Sequence, residues 1–144
     1  MFGQWLLAGS AVFLLSACAA TDKTHISRQQ LLDAITTGHA PVIIDVRSQS
    51  EYDSGHVPGA IHVPFWRAFS PEQLEPVGPE QVLVVYCAHG PRAGIAKFSL
   101  RLSGYDNILY LDGHMSAWQE AGLPLQMQPA AGPAEASEDN HEQE

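Results

Sequence analysis

Residues 82–102 read VLVVYCAHGPRAGIAKFSLRL, and the fold turns on how this stretch is interpreted. VLVVY (82–86) is an unbroken run of mostly β-branched apolar residues, the pattern of a strand buried on both faces. It runs into Cys87, passes through Ala88, His89, Gly90 and Pro91, and from Arg92 onward places Ile95, Phe98 and Leu102 at helical spacing before Gly104. A buried strand followed within a few residues by a helix is the first half of a parallel crossover.

The rest of the chain repeats this alternation. SRQQLLDAITTG (27–38) sets Gln30 three residues after Ser27, a capping box, ahead of Leu31, Leu32 and Ile35, and so predicts a helix. PVIIDV (41–46) reads as a second buried strand, and Ser48 with Glu51 repeats the capping signature for a short helix ending at Gly55. AIHVPF (60–65) predicts a short strand, and Ser70-Pro71-Glu72-Gln73 the start of a helix with proline in its first turn. NILYL (107–111) is a strand, and HMSAWQEAG (114–122) a last short helix closed by Gly122 and Pro124. The expectation is an α/β domain over 26–127, with a mainly parallel central sheet flanked by helices. Ligands of such sheets sit beyond the carboxyl ends of the strands. Cys87 stands at one of those ends.

Backbone amides curling around the Cys87 sulfur, together with the helix start, favour negative charge there and hence a thiolate nucleophile. Gly90 permits backbone angles that a side chain would forbid, and Pro91 presets the first helical turn while removing one amide from the ring. Arg92 adds a permanent charge with a forked donor set suited to an oxyanion. Cys87 and Arg92 are therefore the candidate catalytic residues, with Ala88, His89, Gly90, Pro91 and Ala93 forming the loop around a bound substrate.

YCAHGPRA (86–93) resembles the active-site loop of the rhodanese family, in which a cysteine and an arginine enclose four residues. IIDVRSQSEYDSGHVPGAIHVP (43–64) is similar to that family's amino-terminal signature and LYLDGHMSAWQEAGLP (109–124) to its carboxy-terminal one, so the resemblance covers most of the domain. It implies the rhodanese fold and sulfur transfer. The Cys87 thiolate would attack the sulfane sulfur of a small donor such as thiosulfate, expel sulfite, hold the sulfur as a persulfide and pass it to cyanide or a thiol. This double displacement needs no cofactor or metal. Loop amides would stabilise the bound sulfur, and Arg92 would hold the loop or the donor's sulfonate end. Related cell-cycle phosphatases place five residues between cysteine and arginine, so the shorter loop favours sulfur over phosphate. Two residues depart from the family pattern: His114 stands where a second glycine commonly follows Gly113, so that the backbone differs there or the ring projects towards the site, and Ala93 replaces a frequent serine.

Each candidate has a plainer reading beside it. Cys87 could be an inert residue at the end of a buried strand, the chain then being a non-catalytic binding or redox-sensing module of the same fold. His89 is either a tuner of the thiolate or a solvent-facing loop residue. Asp45 and Arg47 could support the site, or form a structural ion pair such as Arg47 with Glu51. His56 and His62 flank the PGA turn, but their spacing and the missing second cysteine argue against zinc. Trp118 reads as core, and Phe65, Trp66 and Phe69 as either core or the rim of an acceptor pocket.

The two ends differ in kind. Residues 1–20, MFGQWLLAGSAVFLLSACAA, carry no charge and hold an apolar block over 5–15, which predicts an export signal; the run from Trp5 to Ala20, 16 residues, is shorter than the roughly 20 that span a bilayer. Leu15-Ser16-Ala17-Cys18 resembles the lipobox of bacterial lipoproteins, implying cleavage after residue 17, lipidation at Cys18, a tether over 18–25 and a place in the cell envelope facing the periplasm. Ala19 resembles the outer-membrane sorting pattern. Residues 128–144 are rich in Pro, Ala and Glu without a large apolar side chain, and predict a disordered acidic tail. A net charge of −9 gives nothing to attract nucleic acid. With Cys18 acylated, Cys87 is the remaining thiol, and no intramolecular disulfide can form.

Overall fold

Ser27 and Gln30 close the first helix in the way their spacing dictates. The Ser27 hydroxyl accepts from the Gln30 amide at 3.2 Å, and the Gln30 side chain accepts from the Ser27 amide at 3.1 Å. The computed structural model describes residues 23–70 and 72–128. The export signal, Cys18 and, but for Gln128, the acidic tail expected from sequence lie outside those residues. In order the elements are β1 (His25–Ile26), α1 (Arg28–Thr36), β2 (Val42–Asp45), α2 (Gln49–Asp53), β3 (Ile61–His62), β4 (Leu83–Tyr86), α3 (Pro91–Leu102), β5 (Ile108–Leu111) and α4 (His114–Glu120).

The strands form one sheet in the order β1-β5-β4-β2-β3, with every pairing parallel. β4 lies at its centre, and all its residues are buried, as its apolar run required. Its side chains alternate between two cores. Leu83, Val85 and Cys87 join Ile44, Ala93, Ala96 and Leu100 on one face of the sheet, while Val84 and Tyr86 join Leu31, Ile43, Met115 and Trp118 on the other. Trp118 is core, fully buried, with its indole N–H donating to the Pro124 carbonyl at 2.9 Å.

Several local expectations are corrected. The strand expected over 60–65 shrinks to Ile61–His62, because Pro64 has no N–H for a ladder and the chain turns into a 3-10 helix at Phe65–Arg67. The helix expected from Ser70 is a single 3-10 turn, Glu72–Leu74; Pro76, Gly78 and Pro79 follow too closely for more. The edge strand His25–Ile26 carried too short a pattern to be seen in the sequence. In α3 the apolar residues that marked the helix, Ile95, Phe98 and Leu102, are 46%, 61% and 69% exposed. The buried face is instead Ala93, Ala96, Lys97, Ser99 and Leu100, whose small members let the helix approach the sheet closely.

Candidate active site

β4 delivers Cys87 to the carboxyl edge of the sheet, and the chain then reverses into α3 within the span Ala88-His89-Gly90. Gly90 caps the helix at φ +124°, a conformation a side chain would strain, and Pro91 fills the first helical position. This turn aims the Gly90 amide at the Cys87 sulfur, 2.9 Å away. The Gly90 N–H thus donates to the sulfur from within the loop. Cys87 itself is 1% exposed, Ala93 is buried behind it, and His89 faces solvent.

α4 braces the loop from the other side. The Met115 amide donates to the Cys87 carbonyl at 3.0 Å, and the Ser116 amide and hydroxyl both donate to the Ala88 carbonyl, at 3.2 and 2.7 Å. These contacts join residues 28 apart in sequence, and nothing in the local pattern announces them. His114 takes up the left-handed backbone a glycine would occupy, at φ +53°. Of the two outcomes left open for this position, the ring projects to the site: Nδ1 accepts from the Cys87 amide at 3.4 Å, and Nε2 lies 3.3 Å from where a Cβ on Gly90 would stand. Burial, then the neighbouring His25 and His89, lower the pKa of His114 and favour its neutral form.

Arg92 is fixed by Glu51. The guanidinium grips the carboxylate through Nη1 at 2.6 Å and Nη2 at 2.9 Å, a two-point pair that spans α3 and α2. That hydrogen bond, aided by the amide and hydroxyl of Ser48, holds the Glu51 carboxyl well below the usual carboxylate range. The same hydrogen bond raises the pKa of Arg92, and the charges of Glu51 and Cys87 add to the effect. The pairing of Arg47 with Glu51 considered from sequence does not form. Glu51 turns to Arg92, and Arg47 turns inward to Asp45.

Asp45 and Arg47 make a buried ion pair beneath the loop. Arg47 donates from Nε at 3.0 Å and Nη2 at 2.6 Å to the carboxylate, and from Nη2 to the Gly55 carbonyl at 2.8 Å. Burial opposes its charge, but Asp45 outweighs that and raises the pKa of Arg47. The Tyr86 hydroxyl donates to Asp45 Oδ2 at 2.8 Å and accepts from the Val57 amide at 3.1 Å. Burial and the Asp45 charge push that phenol far above its ordinary range, so it stays a donor. Asp45 and Arg47 thus both contact Tyr86, the residue before Cys87.

The two histidines weighed as metal ligands engage backbone carbonyls, His56 Nδ1 that of Tyr52 and His62 Nε2 that of Arg47, each at 2.9 Å. No three His, Cys, Asp or Glu side chains converge on a point among the described residues. Phe65 packs partly into the core, whereas Trp66 and Phe69 are exposed and line an open groove with Arg67 and Ser70.

Residues 27–121 match the family described as "Rhodanese-like domain". The chain belongs to that family. Among its relatives, an uncharacterised Synechocystis protein is 32% identical over 107 residues, covering 74% of this chain and 59% of the relative, so the rhodanese-like chain spans about three fifths of that protein. A sulfurtransferase of Allochromatium vinosum is 27% identical, with 69% of this chain and 92% of the relative covered. The crystal structure of a rhodanese-related protein from Thermoplasma volcanium superposes with a TM-score of 0.61 at 26% identity, over 72% of this chain and 98% of that one.

Proposed function

We propose that this rhodanese-like protein is a sulfurtransferase that works through a persulfide on Cys87. Family membership and relatives that carry the name sulfurtransferase support a role of that type. The observation that carries the finer reading is the Gly90 amide 2.9 Å from the Cys87 sulfur, at the carboxyl end of the central strand. In the first step the Cys87 thiolate attacks the outer sulfur of thiosulfate. A sulfur–sulfur bond forms to Cys87 as the donor's own breaks, and sulfite leaves with the electron pair. In the second, cyanide or a thiolate attacks the outer persulfide sulfur and Cys87 departs as thiolate. Arg92, held by Glu51, is the cation beside the loop for the donor's sulfonate.

The test is steady-state formation of thiocyanate from thiosulfate and cyanide. Double displacement gives parallel reciprocal plots and Cys87→Ser gives no turnover; intersecting plots or a fully active Cys87→Ser protein refute the proposal. The 1% exposure of Cys87 favours a second reading, a non-catalytic module of this fold, which predicts no turnover in the native chain either.

The same proposal includes location. Lipidation at Cys18, after export directed by 1–17, would hold the domain at a membrane of the cell envelope facing the periplasm, the outer one by the identity of Ala19. No helix among the described residues is long and apolar enough to cross a membrane. Loss of membrane retention in Cys18→Ser supports this; unchanged retention overturns it.

A further inference from the structure

Because the strands are all parallel, they enter the sheet along one edge, and the reactive loop lies at the other. Lys23 and Thr24 precede β1, Val82 precedes β4 and Asn107 precedes β5; together with Lys97 and Arg101 they line one shallow cavity at the entry edge. Phe98 follows Lys97 directly, and Leu102 lies one turn beyond Phe98, so the two share a stripe beside the Lys97 and Arg101 row. Val82 is 43% exposed, Phe98 61% and Leu102 69%. Single exposed apolar residues mean little, but Val82 lines the cavity beside Lys23, and α3, which starts at the loop, carries Phe98 and Leu102 back toward the edge where β5 begins.

We propose that this edge, with Val82, Phe98 and Leu102 as its apolar contacts, rests on the bilayer to which the lipid on Cys18 tethers the domain. The inference builds on the anchoring at Cys18 put forward above. The five steps from Cys18 to Lys23 span at most about 18 Å when fully extended, no more than the roughly 18 Å length of α3 with its 12 residues. So short a tether leaves the domain little freedom, and the edge that carries Lys23 is the one held at the lipid. Of the cations that line the cavity, Lys97 is buried with its ammonium over the Tyr110 ring, and Lys23 and Arg101 share the rim with Asp106, so apolar contact rather than charge is the attraction, and its strength scales with the apolar area buried at the headgroup boundary. Cys87 then faces away from the bilayer, and a donor or acceptor reaches it from the aqueous side.

The full chain is isolated from bacterial membranes and reconstituted in phosphatidylcholine vesicles containing a nitroxide-labelled lipid. An environment-sensitive fluorophore is attached at Phe98→Cys or Leu102→Cys in the Cys87→Ser background, with Gln49→Cys at the opposite edge as reference. All three positions are exposed, so the core is undisturbed. The expected result is a blue shift and several-fold stronger quenching at 98 and 102 than at 49, unchanged when phosphatidylglycerol is added. A chain that floats with the vesicles but quenches equally at all three positions overturns the docking face while leaving the tether intact. A chain that does not float overturns both.

Discussion

Asp45→Asn removes the carboxylate that Arg47 is paired with. Asp45 is fully buried and Arg47 is 4% exposed, with the closest contact at 2.6 Å, so the substitution strands a guanidinium charge that water cannot reach. Stranding one partner of a buried pair costs about 3–5 kcal/mol, a large share of the roughly 5–15 kcal/mol that holds a domain folded. At about 4–8 °C per kcal/mol for a domain near this size, Tm should fall by at least about 12 °C. Thermal unfolding followed by circular dichroism at neutral pH measures it. Adding Arg47→Met to the same chain removes the stranded charge, and most of the loss should return, because a buried pair is worth little more than apolar side chains of similar volume. A fall of less than about 4 °C in the single variant, or a double variant no more stable than the single, would refute the argument that this pair is sealed from solvent.

Glu51→Gln keeps a capping residue but weakens the grip on Arg92. Because the pair is partly exposed, stability should change by less than about 1 kcal/mol, while kcat/KM for thiosulfate falls; equal turnover would remove Arg92 positioning from the account. The folded carboxyl titrates below its usual range, so its contribution is complete above the unfolded value near 4.3 and is lost as pH falls through the lowered one. The Tm difference between native and Glu51→Gln proteins should therefore hold steady from pH 7 to about 5 and shrink only below. For His114 the folded pKa lies below the unfolded value near 6.5, so unfolding takes up protons and stability drops as pH descends from there into the lowered range. His114→Asn, which tolerates φ +53°, should flatten Tm between pH 7 and pH 5 relative to the native chain; parallel curves would show that the ring is not kept neutral by its setting.

Much of this site could be read in the sequence because its parts are local. The apolar run before Cys87, the glycine, the proline and the arginine lie within ten residues, and each has a conformational or chemical meaning of its own. The two capping boxes were legible for the same reason. What the sequence hid depends on distance along the chain. Glu51 was visible as a capping residue, but its grip on Arg92 joins residues 41 apart. Ser116 on the Ala88 carbonyl, and the Tyr86 hydroxyl on Asp45, are likewise products of the sheet. The stripe Ile95, Phe98 and Leu102 shows another limit: periodicity announces a helix, but small residues decided which face met the sheet.

The central claim is that Cys87 carries sulfur between two substrates. Mass spectrometry of the peptide containing Cys87, taken after the protein meets thiosulfate without an acceptor, tests it most directly. A gain of one sulfur atom that vanishes when cyanide is added, and never forms in Cys87→Ser, is the predicted result. A peptide of unchanged mass after thiosulfate and other sulfane donors would contradict it and leave a rhodanese-fold module without turnover.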